Sequence, residues 1–338
     1  MNLKLSVLDQ TPIRRGSNAV EALKESTELV QLAEQLGYTR YWLSEHHNSK
    51  SLAGAAPEVL IARLASLTSR IRLGSGGIML PNHSTLKVAE NFRLLEGLFP
   101  GRIDLGLGRA PGGDRLTASL LNPSNTFSPS DYLRQLSDLQ AFLAGDPDSE
   151  SGGKVMAIPD IATQPQLWVL SSSGESAYIA AHYGMALSFA QFINPLGGPE
   201  AARAYRERFL PSEQLAEPQV SVGIFVFCAA TEEKAQQMQT MMDYRLLNFE
   251  KGRYDAQFSY EEASSYKYTE QEWNRVLYNR GRAVSGTPDK VKEELIDLAK
   301  DFTADEIVVS TFAERFEDRV NSYKLLAKAF DLNKELQH

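Results

Sequence analysis

Tyr41-Trp42-Leu43-Ser44-Glu45-His46-His47-Asn48 runs from a short apolar strand straight into a carboxylate and two of the chain's five histidines. Successive side chains alternate across a strand, so Tyr41 and Leu43 share one face while Trp42, Ser44 and His46 share the other. If the strand belongs to a parallel barrel, its end opens onto the face where catalytic residues collect. Judged alone, the same segment reads equally well as a solvated strand end with two exposed imidazoles.

The neighbours of this stretch decide its setting. A strand at residues 3–8 is followed by a helix-period segment at 19–36 that stops at Gly37, and the strand at 41–43 is followed by a helix at 57–68 opened by Pro57. The unit then recurs. Strands are expected at 71–80, 102–107, 167–170, 185–189, 220–229 and 306–310, with helices at 85–98, 131–144, 175–183, 199–209, 232–249, 288–302 and 316–336. Strict alternation argues for a parallel sheet, because parallel neighbours need helical crossovers, and eight units close a (β/α)8 TIM barrel. That α/β fold is the expectation, as a single domain over residues 1–338. Such barrels need about 250 residues, so the surplus is assigned to insertions after strands 4 and 7, at about 110–130, 145–166 and 251–282. The last holds five tyrosines among many charges. A doubly wound open sheet would want a phosphate fingerprint after its first strand, and Thr11-Pro12-Ile13-Arg14 stands there instead.

Composition narrows the partners. With 43% apolar and 23% charged residues the chain can bury a full core, and a formal charge of -8 argues against nucleic acid and anionic membrane surfaces. No run reaches the ~18 apolar residues of a membrane helix. The start enters strand-like alternation with neither a basic segment nor an apolar core of secretory type, so the expected location is cytoplasmic. Cys228, the lone cysteine, lies in an apolar run and reads as a buried small hydrophobe.

Three further stretches invite chemistry. Gly74-Ser75-Gly76-Gly77 weakens strand pairing unless something flat must approach the backbone, or unless the strand bulges where the barrel turns. Leu105-Gly106-Leu107-Gly108-Arg109-Ala110-Pro111-Gly112-Gly113 has G-x-G spacing, but no helix begins across Pro111-Gly112-Gly113, so a dinucleotide loop is rejected. What remains is Arg109 at a strand end, whose fork of donors matches a phosphate, or which is simply a surface arginine. Ser171-Ser172-Ser173-Gly174-Glu175-Ser176 lies where a strand meets a helix, so free amides and the positive end of the helix dipole suit an anion; Ser173 as an N-cap is the plainer reading. His83, His182 and His338 share no ligand spacing with His46 and His47, so no metal is expected. No G-x-S-x-G elbow is present either.

Taken together, Glu45-His46-His47, Gly74-Ser75-Gly76-Gly77-Ile78-Met79-Leu80-Pro81, the segment 101–109 and Gly286-Thr287-Pro288 make the chain resemble the bacterial luciferase-like flavin monooxygenases over nearly its whole length. The resemblance implies a (β/α)8 barrel that holds FMN at the carboxyl ends of its strands, takes reduced flavin from a separate reductase, and oxidises a small organic substrate with O2 through a flavin hydroperoxide. It implies His46 as the active-site histidine with Glu45 beside it. Gly76 and Gly77 match a peptide beneath the flavin that is often cis, Arg109 matches the phosphate arginine, and Ser172, Ser173, Gly174 and Ser176 fall in the phosphate loop. The tyrosine-rich insertion matches a mobile cover, and a homodimer through the outer helices is implied. The alternatives are a deazaflavin-dependent hydride-transfer enzyme and a flavin-binding protein without catalysis. One departure concerns the sixth-strand exit, where relatives often carry a histidine and this chain reads Phe189-Ala190-Gln191-Phe192-Ile193.

Overall fold

The computed structural model describes residues 3–109, 113–146, 155–255 and 257–333. Parts of all three expected insertions, namely 110–112, 147–154 and 256, lie outside the described residues, as do the expected helix end at Leu336 and His338. In chain order the elements are β1 (Lys4–Asp9), α1 (Ala19–Leu36), β2 (Arg40–Leu43), α2 (Pro57–Ala65), β3 (Arg72–Met79), α3 (Thr85–Leu98), β4 (Ile103–Gly108), α4 (Arg115–Leu121), α5 (Pro129–Ala144), β5 (Gln166–Ser171) and α6 (Gly174–His182). They continue with β6 (Ala186–Ala190), α7 (Gly198–Arg208), β7 (Val220–Cys228), α8 (Glu232–Glu250), α9 (Tyr260–Ser265), α10 (Glu270–Arg280), β8 (Ala283–Gly286), α11 (Pro288–Phe302), β9 (Glu306–Ser310) and α12 (Phe316–Ala329).

Every strand pairing is parallel, and the order β6-β5-β4-β3-β2-β1-β9-β7 closes on itself through β6 and β7. This is the expected TIM barrel. Its eighth stave is β9, whereas β8 is an additional strand that pairs only with the upper end of β7, at Phe225 to Cys228. β8 was not expected, because Ala283–Gly286 is too short to show a period. Helices α4, α9 and α10 were also absent from the sequence reading, although their caps are written in the chain. Asp114 accepts from the Thr117 amide, and Ser259 with Glu262 and Thr269 with Glu272 form reciprocal capping boxes.

Alternation along the strands sorts two cores. Tyr41 and Leu43 join the outer layer between sheet and helices, while Trp42 packs inside the barrel with Leu8, Trp168, Ala186 and Val308. The Trp42 and Trp168 rings meet edge to face at 5.2 Å. Below them the barrel floor is ionic. Arg40 donates to Glu306 at 2.8 Å and to Asp104 at 2.9 Å, Trp42 Nε1 donates to the same Asp104 at 3.0 Å, and Ser6 hydrogen-bonds Glu306. The strand-three glycines answer to this packing. A Cβ on Gly74 would stand 2.5 Å from the Asp104 carbonyl and 3.0 Å from Trp42. The β3–β4 register shifts between Gly76 and Ile78, and the Gly76–Gly77 peptide is cis. A bulge is therefore present at the place where the sequence offered one.

Candidate functional site at the carboxyl ends of the strands

Because the sheet is closed and parallel, the segments leaving β2, β3, β4 and β5 are consecutive neighbours on one rim. That rim carries His46, Gly76 and Gly77, Arg109, and Ser172 to Ser176. Gly76 points into the barrel, since a Cβ there would meet Leu8 at 2.8 Å and Trp42 at 3.0 Å, and it keeps part of its surface accessible.

The helix start after β5 is open and carries no side-chain cap. Ser173 occupies the N-cap position of α6 but its side chain caps nothing, so the Ser173 hydroxyl does not have the structural role that the plainer reading gave it. Ser171 takes over locally by accepting from the Ser173 amide at 3.1 Å. Nothing lies within 4 Å of where a Gly174 Cβ would project, leaving open space above the first turn. Arg109, only half exposed, reaches this same turn and donates to Glu175 at 2.7 Å. Ser176 is buried, and Asn194 from the loop after β6 donates to the Ser172 carbonyl at 2.9 Å, pinning the loop. Arg109 and the serine loop, 60-odd residues apart in sequence, thus meet at the amide end of α6.

Glu45 lies just beyond the end of β2, one residue before His46. Its carboxylate, 1% exposed, accepts from the Met79 amide at 2.8 Å and contacts His47 Nε2 at 2.7 Å and His83 Nε2 at 2.9 Å. Burial pushes this carboxyl up, but His47, His83 and the Met79 amide more than offset it and hold it at about 2. The same pair raises the imidazole pKa of His83 above 6.5, against the effect of its own burial. Through Met79 and His83, Glu45 ties the end of β2 to the end of β3. His47 is its partner rather than an idle neighbour. His46 itself is half buried, with its amide donating to the Gly54 carbonyl at 2.9 Å. His83 had no motif to reveal it; only the strand-three turn brings it within reach of Glu45. Among the described residues no group of three or more His, Cys, Asp or Glu is placed to hold a metal ion.

The sixth-strand exit splits into two roles. Phe189 is fully buried in the outer core against Phe302, whereas Phe192 is half buried and meets Phe225 at 5.4 Å. Phe225 in turn meets Phe312 at 5.7 Å, so three rings line the side of the mouth formed by β6, β7 and β9. The tyrosine-rich insertion crosses the rim. Asp255 accepts from the Lys50 amide at 2.8 Å, and the rings of Phe258, Tyr266, Tyr268 and Trp273 join Tyr244 of α8 in a chain of edge-to-face and tilted contacts.

Residues 1–306 match the family model described as luciferase-like monooxygenase. The chain belongs to the luciferase-like monooxygenases. It is thereby a flavin-dependent oxidoreductase. The uncharacterized protein YwcH of Bacillus subtilis (strain 168) is 47% identical over 97% of this chain and 99% of its own. The N-acetyl-S-alkylcysteine monooxygenase of the same organism is 36% identical over 97% and 98%. Among solved structures, apo-MsnO8 superimposes with a TM-score of 0.91 at 37% identity, covering 98% of this chain and 99% of that one. Two others share the luciferase-like fold alone. The FMN-bound oxygenating constituent of 3,6-diketocamphane monooxygenase from Pseudomonas putida has a TM-score of 0.69 at 17% identity over 97% of each chain. An F420-dependent secondary alcohol dehydrogenase has a TM-score of 0.69 at 11% identity, over 98% and 99%. No described helix is long and apolar enough to cross a membrane.

Proposed function

We propose that the whole chain, as one barrel domain, binds FMN reduced by a separate reductase and uses O2 to oxygenate a small organic molecule. The observation that carries this reading is the uncapped start of α6 facing Arg109, which fits a phosphate. It fits in charge, because Glu175 now holds an arginine that a phosphate would engage more strongly. It fits in space, because Gly174 leaves the approach open. Reduced FMN, when bound, supplies two electrons and the flat ring at which O2 is activated.

The chain's own residues do the remaining work. Arg109, Ser173, Gly174 and Ser176 bind the phosphate end, with Ser172 holding the loop. Gly76 and Gly77 give the ring a wall without side chains. His46 takes or returns a proton at an imidazole nitrogen. Glu45 keeps the β2 and β3 ends in register, so that His46 stays where it is. The insertion 251–282 excludes water by covering the rim. Exposed apolar side chains on the outer helices, Val59 on α2, Leu94 and Leu98 on α3, and Leu116 and Leu120 on α4, support a homodimer through those helices.

Arg109→Ala tests the reading. A charge-assisted hydrogen bond is worth about 1.5–3 kcal/mol, so FMN should bind about 10- to 150-fold more weakly while riboflavin, which has no phosphate, loses little. Fluorescence titration with both flavins measures this. A variant that still prefers FMN to riboflavin as strongly as the parent would remove the phosphate assignment, and preferential retention of a deazaflavin would move the chain to the hydride-transfer alternative.

A further inference from the structure

Arg245 is a cation without a counter-ion. It stands on α8, where Ala235, Met238 and Met242 recur at helical spacing and pack inward, and Arg245 is the next position of that stripe. Met238 and Met242 lie on Phe225 and Phe227, the inward-facing aromatics at the upper end of β7. The Arg245 guanidinium sits 4.5 Å from the centre of the Phe312 ring, just beyond β9. Among the described residues it makes no ion pair and no hydrogen bond, and its nitrogens keep accessible surface. The nearby carboxylate on α8, Asp243, is engaged instead by Arg280 and Gln239. Burial pulls the Arg245 pKa down to about 10, with no carboxylate near enough to restore it.

This isolation is unusual in a chain with 43 acidic against 35 basic residues. An enclosed charge is costly unless it is paired, and a ring face at 4.5 Å compensates only in part. The position is also informative. In the closed order of strands, β2 to β5 carry the cofactor cradle, whereas Phe192, Phe225 and Phe312 follow or belong to β6, β7 and β9 on the opposite side. Arg245 therefore lies across the mouth from Arg109, at the end of an apolar wall and beneath the start of the covering insertion. A ligand that satisfies both features has an apolar body and one planar, two-oxygen anionic group.

We propose that Arg245 anchors a substrate carboxylate: the molecule oxidised is a carboxylic acid whose apolar part lies against Phe192, Phe225 and Phe312. The proposal rests on the oxygenase reading for the word substrate, but not for the binding site itself. Isothermal titration of the full chain, with and without FMN, measures it using phenylacetate, phenylbutyrate and octanoate, each beside its neutral carboxamide. At least one acid should bind the parent about 10- to 100-fold more tightly than its amide. Arg245→Met should erase that preference, and Arg245→Lys should keep part of it. Arg245→Met should melt no lower than the parent and should bind FMN as the parent does. The proposal is overturned if the parent prefers none of the acids, if the preference survives in Arg245→Met, or if that variant loses its preference for FMN over riboflavin, which would make Arg245 a second phosphate ligand. An acid preference that depends on Arg245 in a chain that binds no FMN would uphold the anchor and refute the oxygenase reading.

Discussion

Arg40 and Arg245 each lie against an aromatic ring of one barrel, and they have opposite company. Arg40, at the floor, is held by Asp104 and Glu306 and lies 4.7 Å from the Trp168 ring; burial opposes its charge, and the two carboxylates raise its pKa regardless. Arg245, at the mouth, has a phenylalanine face and no carboxylate. The floor is a finished network in which each charge is neutralised by the chain itself. The mouth leaves Arg109 loosely engaged, the first turn of α6 uncapped and Arg245 unpaired. Unlike the floor, the mouth thus keeps two arginines that a ligand could engage.

If that contrast is right, substitutions at the two ends should fail in different ways. At the mouth, His46→Ala should lose on the order of 10²–10⁴-fold in turnover, the usual worth of acid–base assistance, with FMN affinity and melting temperature close to the parent's. Steady-state oxygen consumption with a flavin reductase reads the first and thermal unfolding the second; an equal fall in both would make His46 a packing residue. At the floor, Arg40→Met should destabilise by about 3–5 kcal/mol in urea, because Glu306 is left buried without its cation, and Arg40→Met/Glu306→Gln should recover part of that loss. Floor variants that stay folded should retain their flavin affinity.

Smaller effects sharpen the same division. Thr269→Ala removes one half of a capping box at the start of α10, which should cost about 1 kcal/mol locally and loosen the covering insertion without lowering the global melting point much. Hydrogen exchange of residues 270–280 is the measurement, and unchanged protection would detach the cap from the cover's order. The least effect concerns the clamp between β2 and β3. His83 has a folded pKa above its ordinary 6.5, so its contact with Glu45 contributes fully below about 6.5 and fades as pH rises through the elevated value. Glu45, held at about 2, contributes above the ordinary carboxylate range near 4.5 and loses its contribution as pH falls toward 2. Melting temperature should accordingly decline gently above neutrality in the parent, and His83→Gln should flatten that slope. A slope that persists in the variant would assign it to other groups.

The barrel was legible because periodicity is a local property. A strand followed by a helix must bury alternate residues and then every third or fourth, and that rhythm is visible in 1-to-20-residue windows wherever the unit recurs. α1 and α3 accordingly span 19–36 and 85–98 as their apolar stripes say, and Trp42 is inside while Tyr41 and Leu43 are outside because alternation leaves no other choice. Likewise, Arg109 and the Ser173–Ser176 loop could be marked as separate anion-binding candidates, since a fork of donors and a helix start each announce themselves in sequence. That the two converge was decided by adjacency of β4 and β5. Three further matters were settled only by the tertiary structure. Glu45 lies next to His46 in the chain, yet Met79 and His83, more than 30 residues away, claim its carboxylate. Phe189 and Phe192 are three residues apart, yet one is core and the other faces the mouth. Arg245 looks in sequence like any arginine on an amphipathic helix. It becomes distinct through the carboxylates that are not placed beside it, and the absence of a partner is a relation between distant segments that no local pattern encodes.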